Sequence, residues 1–231
     1  MNTLLILGSK PDPSLPTADA YDAVACANAS GYSAARHGMP VPTFTVMSAI
    51  LTSGIESGKQ SLNALSGLKT DTLYFFPRPP VRKKGIKGII QHTKRLKTGP
   101  LYFRFILRSL PFHYQSFANM PWNFYHDTIA SLCDHDDQIM DRLKLKQPSS
   151  GIITLAVGLA RYHFDRYIMS GFSFELTHAY AHNPEITERG SQGSKHTDTD
   201  IMIIRYLHEK YRNIYTTESV VHQRTGIPLL V

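Results

Sequence analysis

The chain has little cysteine, no acidic residue across a long central stretch, and no apolar run of membrane-spanning length. Its only two cysteines, Cys26 and Cys133, lie far apart and fit neither a metal-ligand spacing nor a redox pair. A disulfide framework and a thiolate metal site are therefore excluded, and a reducing compartment is expected. No stretch reaches the roughly 18 consecutive apolar residues that a spanning helix needs. Met1-Asn2-Thr3 runs straight into Leu4-Leu5-Ile6-Leu7 without a basic leader or a small-residue cleavage site, so no secretory signal is expected. The expected location is the cytoplasm. No internal repeat or low-complexity tract is present, which sets aside solenoids and arrays.

The missing charge is local. Between Thr72 and His126 there is no Asp or Glu, and ten of the chain's 25 Lys and Arg residues lie in that interval, Arg82, Lys83, Lys84 and Lys87 among them. The net charge of +7 thus belongs to one segment, and the rest of the chain is mildly acidic. Clusters of cations interleaved with Ile89-Ile90 and Leu101-Tyr102-Phe103 suit adsorption to an anionic membrane face, where each charge contributes up to about 1 kcal/mol. Arg82, Lys83, Lys84 and Lys87 are the candidate membrane or acceptor contacts. A solvated charged loop is the plainer alternative, and a non-enzymatic nucleic-acid-binding protein is the alternative of another class, although no known nucleic-acid motif accompanies the charge.

What is present reads as one α/β domain over residues 1–231, with 42% hydrophobic content. Short apolar runs at 3–7, 23–27 and 43–47 are strand candidates about 20 residues apart, with the helix-compatible stretch 32–36 between the last two, as in βαβ units, and 72–76 is a candidate fourth. The expected architecture is a single Rossmann-like, doubly wound, mostly parallel sheet. Pro77-Arg78-Pro79-Pro80 then breaks the pattern, and residues 77–121 read as a basic aromatic insertion or lid. Regularity returns with a helix over 152–161, a strand over 166–169, a helix marked by Ile201, Ile204, Leu207 and Tyr211, and a last strand over 213–217.

Five short constellations could carry chemistry. Gly8-Ser9 ends the first strand, where glycine admits a ligand to the backbone and the serine hydroxyl can bond a phosphate; a plain turn reads the same way. Asn28 follows the second strand and is either a ligand contact or a helix cap. Ser149-Ser150-Gly151 opens an apolar helix, whose free N–H groups favour an anion, or else is an ordinary N-cap. Gly171-Phe172-Ser173 ends a later strand and is followed by Glu175 and Tyr180. Last, His196 precedes Thr197-Asp198-Thr199-Asp200 at a helix start.

In order and spacing these five pieces resemble the bacterial sialyltransferases that use CMP-sialic acid. The resemblance is carried by the Gly-containing loop after the first strand, the Asn after the second, the Ser-Ser-Gly helix start, the Ser-Gly-x-x-Phe strand end and the His before Thr-Asp-Ile. It is best from Ser149 to Leu207 and does not extend over the basic middle. It implies an inverting glycosyltransferase moving a sialic acid or similar keto-sugar from a CMP donor to a glycan or glycolipid acceptor. Gly8, Ser9, Asn28, Ser149, Ser150, Gly151, Gly171, Phe172 and Ser173 would bind the CMP-sugar. His196 would be the general base and Tyr180 the donor of a hydrogen bond to the departing phosphate. Two departures stand out: Glu175 occupies a position where the family has tyrosine, and His196 sits one residue closer to Thr-Asp-Ile than the family's histidine, so an ungapped match places Lys195 there.

A monophosphate leaving group demands less charge neutralisation than a diphosphate, so no cofactor and no metal are expected. The rival reading takes Asp198-Thr199-Asp200 as a metal-binding Asp-x-Asp pair. Its place before an amphipathic helix favours N-terminal capping instead. A Kdo transferase acting on lipopolysaccharide or capsule is the nearest enzymatic alternative. The expected partners are the CMP-sugar, a glycan or glycolipid acceptor and the anionic inner face of the cytoplasmic membrane, with self-association left open.

Overall fold

In the computed structural model, which describes residues 1–54, 56–78, 85, 96–175 and 193–230, the strands join one seven-stranded sheet in which every neighbouring pair is parallel. The chain lays down β1 (Thr3–Leu7), β2 (Ala23–Ala27), α1 (Gly31–Arg36), β3 (Phe44–Ser48), α2 (Glu56–Ala64), β4 (Lys69–Phe76), α3 (Pro100–Ser109) and β5 (His113–Asn119). There follow α4 (Phe124–Leu132), α5 (Asp137–Leu145), α6 (Ser150–Arg161), β6 (Arg166–Ser170), α7 (Thr197–Tyr211), β7 (Ile214–Thr216) and α8 (Ser219–Thr225). Strand order is β5-β4-β3-β2-β1-β6-β7. The chain steps outward from β1 to β5, then returns through α4, α5 and α6 to place β6 on the other side of β1. That reversal leaves a crevice beyond the C-terminal ends of β1 and β6, where such sheets bind ligands.

β1 is apolar in four of its five positions because it lies at the centre and is buried on both faces. Leu4 and Ile6 join a core with Ile152 and Leu155 of α6, Ile203 and Leu207 of α7 and Ile129 of α4. Leu5 and Leu7 face the opposite layer with Val24, Cys26, Ile168 and Ala34 of α1. Each such side chain contributes about 1.5–3 kcal/mol by burial. Gly158 lets α6 lie close on the sheet, since a Cβ there would sit 3.1 Å from a methyl of Leu4. Both cysteines are buried thiols, pushed up to about 12 chiefly by desolvation, so neither is poised to react. No helix among the described residues is long and apolar enough to cross a membrane.

The expected strands and helices appear with small shifts at their ends. The second half of the 77–121 segment differs more: it is part of the fold. α3 buries Phe103 and Leu107 against Leu73 and Phe75 of β4, and β5 pairs with β4 from Lys69↔His113 to Phe75↔Asn119. β5 carries no strand signal in sequence because, as an edge strand, it buries none of its seven residues. α3 hides its period because Leu101 and Phe105, one turn apart, are 80% and 65% exposed while its buried stripe is only Phe103 and Leu107. Residues 79–84 and 86–95 lie outside the described residues, and Arg82, Lys83, Lys84 and Lys87 with them.

Candidate functional site

The crevice holds a cavity of about 390 Å³, within the range of small-molecule sites. Its floor is the join between the β1 and β6 loops. The Gly8 N–H donates to the Ser170 carbonyl at 2.8 Å and the Lys10 N–H to the Gly171 carbonyl at 2.9 Å. A Cβ at Gly8 would run into the Gly171 carbonyl, and Gly171 itself has φ +75°, so both glycines are required by the backbone. Beneath them lies Glu218, 2% exposed, whose carboxylate accepts from the Gly171 N–H at 3.0 Å and the Ser14 N–H at 2.8 Å and pairs with Lys10 Nζ at 2.5 Å. Sequence reasoning missed Glu218: at the start of α8, behind Thr216-Thr217, it looks like any helix-start acid.

One wall is the start of α6. Ser149 is the N-cap, its Oγ accepting from the Ile152 N–H at 3.4 Å. The N–H groups of Ser150 and Gly151 have no acceptor within the helix and lie at the positive end of its dipole. A Cβ at Gly151 would strike the ring of Phe172, so this glycine lets Phe172 lie directly on the first turn. Ser9 and Ser173 complete this side, and Glu175 stands at the rim, in a bridge with Gly193.

The next wall is the turn after β2. Asn28 adopts φ +52° and accepts the Ser48 N–H on Oδ1 at 3.1 Å, tying the ends of β2 and β3 together. Its carbonyl is thereby used, and its NH₂ is what it can offer a ligand. The turn after β3 and one face of α2 close the cavity with Ile50, Leu51, Gly58 and Ser61. These four were also missed, since the Ser48-to-Ser61 stretch contains no pattern that stands apart from an ordinary turn and helix.

Against the start of α6 stands the first turn of α7. His196 is half-buried, and its Nδ1 lies 2.6 Å from the Gln147 carbonyl. A carbonyl only accepts, so Nδ1 carries the proton and Nε2 is left as the basic nitrogen. Burial lowers the imidazole's affinity for a second proton, with Lys195 and Lys146 adding to the effect and the Gln147 bond opposing it. Asp200, 4% exposed, accepts from the Ser149 N–H at 2.8 Å, and desolvation pushes its carboxyl up to about 7. Asp198 pairs instead with Arg142 of α5 at 2.8 Å. The two carboxylates thus engage separate partners, and neither accepts a capping bond from its own helix, which corrects that part of the expectation: the acceptor on Asp200 serves the neighbouring helix, while both acids do stand in the first turn of α7, where the dipole favours them. Among the described residues no group of three or more His, Cys, Asp or Glu side chains is placed to hold a metal.

The structure therefore gathers Gly8, Ser9, Asn28, Ser149, Ser150, Gly151, Gly171, Phe172, Ser173 and His196 around one cavity. Lys195 lines it too. Tyr180 lies outside the described residues.

No protein-family model matches the chain, and no curated protein matches it. Solved structures do. The sialyltransferase CstII from Campylobacter jejuni in complex with cytidine-5'-monophosphate is similar over 99% of this chain and 85% of its own, at 16% identity and a TM-score of 0.55. CstII in complex with a trisaccharide acceptor and CMP matches 98% of this chain and 86% of its own at 15% identity and a TM-score of 0.52. The monofunctional alpha-2,3-sialyltransferase Cst-I from the same organism matches 100% of this chain and 81% of its own at 15% identity and a TM-score of 0.55. The likeness is one of fold, end to end.

Proposed function

We propose that this protein is an inverting glycosyltransferase that moves a sialic acid or similar keto-sugar from a CMP donor to a glycan acceptor. The observation that carries the reading is convergence: ten candidate residues from five separated stretches of sequence meet around one cavity, in a fold shared with CMP-bound sialyltransferases. The Kdo and nucleic-acid alternatives draw no support from these neighbours.

In this reading the α6 start receives the negative donor at the N–H groups of Ser150 and Gly151. Asn28 and Ser9 add donors from the β2 and β1 ends. His196 Nε2 takes the proton of the acceptor hydroxyl as that oxygen attacks the anomeric carbon and the bond to the CMP phosphate breaks. A base held neutral by burial is ready at physiological pH. Tyr180 would donate to the leaving phosphate, and no metal is required.

The same reading places the protein at the inner face of the cytoplasmic membrane. In support, α3 exposes Leu101 and Phe105 beside Arg108, within the acid-free stretch. The test of function is CMP release from CMP-sialic acid, with and without an oligosaccharide acceptor, in excess EDTA. Acceptor-stimulated release that survives the chelator supports the proposal. No release, or release only with added Mg²⁺ or Mn²⁺, overturns it.

A further inference from the structure

The first turn of α7 and the strip before α6 meet through two hydrogen bonds of opposite sense. His196 Nδ1–H donates to the Gln147 carbonyl, and two residues along the strip the Ser149 N–H donates to Asp200 Oδ1. His196 and Asp200 are four apart on α7, linked by the helical bond from the Asp200 N–H to the His196 carbonyl at 2.9 Å, so they share one face. Gln147 and Ser149 are alternate residues of the strip. Donor and acceptor spacing match on the two sides, as in a ladder with one rung from each partner.

From this we infer that Asp200 is a positioning residue: it fixes the register between the first turn of α7, which carries His196, and the start of α6. The inference rests on the proposed role of the cavity, but the contact exists without any donor. Asp200 is buried and grips a backbone N–H, a partner that survives nearly any side-chain change in the strip. Ser149 ties the two ends of this device together. Its hydroxyl accepts from Ile152 as the cap of α6, while its N–H serves Asp200. Arg142, held by Asp198 and by Thr199 Oγ1 at 3.3 Å, braces the same turn from α5.

Burying a carboxyl whose hydrogen bonds among the described residues come from Ser149 alone, with no cation paired to it, is costly, and what it secures is position. Here the dependent quantity is the distance between base and donor, where displacement by about 1 Å can cost roughly 100-fold in rate. If Asp200 releases Ser149, the strip moves, Gln147 moves with it, and His196 loses both its tautomer-fixing partner and part of its burial. The charged and titratable groups around this pair are Lys195 and Lys146 near His196, Arg142 and Asp198 behind the turn, and Glu175 at the cavity rim, bridged to Gly193 on the segment that leads to His196.

The experiment is an NMR titration of the His196 ring without ligand, its signal identified by its absence in H196A, in wild type, Asp200→Ala and Asp200→Asn. Wild type should titrate below the ordinary value of about 6.5. Asp200→Ala should move the midpoint up, towards that value. Asp200→Asn keeps a carbonyl acceptor and should restore the wild-type midpoint. In case Asp200→Ala folds poorly, Ser149→Pro deletes the same bond from the other side, at a φ of −69° that proline adopts, with Ser149→Ala, which loses the cap hydroxyl but keeps the N–H, as its control. An unchanged His196 midpoint in the folded bond-deleting variant overturns the inference. Transfer should fall about 10- to 100-fold in Asp200→Ala and recover to within about threefold in Asp200→Asn. Because the titration uses no CMP-sugar, it fails or holds separately from the proposed activity.

Discussion

The two flanks of the crevice are held by different forces. On the β6 side the strand ends and helix starts are pinned by directed polar bonds: Glu218 under Gly171, Gln147 on His196, Asp200 on Ser149. On the β3 side, beyond the bond from the Ser48 N–H to Asn28 and the local bond from the Ile50 N–H to Ser48 Oγ, the cavity is closed by packing, with Ile50 and Leu51 set against α2 where a Cβ at Gly58 would sit 2.7 Å from the Leu51 carbonyl. Directed bonds fix atoms to a fraction of an ångström, as proton transfer and charge stabilisation require. Apolar packing fixes a shape and tolerates small changes in it. In the proposed function, chemistry falls to the first flank and substrate fit to the second.

The hardest blow to the comparison would come from His196. Replacement by alanine should lower transfer roughly 10²- to 10⁴-fold while leaving CMP affinity nearly unchanged, because in the proposed function other residues hold the donor. Lys195→Ala is the control and should be mild; the reverse pattern, with Lys195 essential and His196 dispensable, would move the base by one residue.

Next in size is the effect of the buried acid on stability. The folded-state pKa of Asp200, about 7, lies above its unfolded value near 3.8. Its contribution is therefore fully present below about pH 4 and is lost as pH rises through 7. Asp200→Asn, neutral at every pH, should match wild type near pH 4 and become more stable above pH 7, by up to about 4 kcal/mol. Denaturant unfolding at several pH values checks this; a gain independent of pH would mean that the carboxyl does not titrate there.

Gly8→Ala should cost about 3 kcal/mol and weaken CMP binding, since the new methyl meets the Gly171 backbone carbonyl. Thermal unfolding with and without CMP reads both effects. The smallest effect belongs to the packed flank. Ile50→Ala, at a position already 39% exposed, should raise KM for one substrate a fewfold and leave kcat alone. A large fall in kcat there would erase the distinction between the flanks.

The same contrast decides what could be read in the sequence. The polar flank is assembled at strand and helix ends, and those carry signatures: glycines where backbones touch, serine before an apolar helix, a histidine at a helix start. β1, β2, α6 and the β6 end stand out for the same reason, since buried central strands are continuous apolar runs bounded by glycine. Ile50, Leu51, Gly58 and Ser61 belong to packing, which reveals itself only once α2 lies against the turn after β3. Glu218 was hidden because its partners, Ser14 and Gly171, are 204 and 47 residues away in sequence. β5 and α3 escaped because an edge strand has one neighbour and a half-covered helix shows apolar residues on both faces.

Whether the cavity is a CMP site is decided by a calorimetric titration of the protein with CMP and with UDP, at physiological salt and in EDTA. CMP should bind saturably at one site and survive the chelator, with UDP at least about tenfold weaker. No CMP binding, together with salt-sensitive binding of RNA, would contradict it.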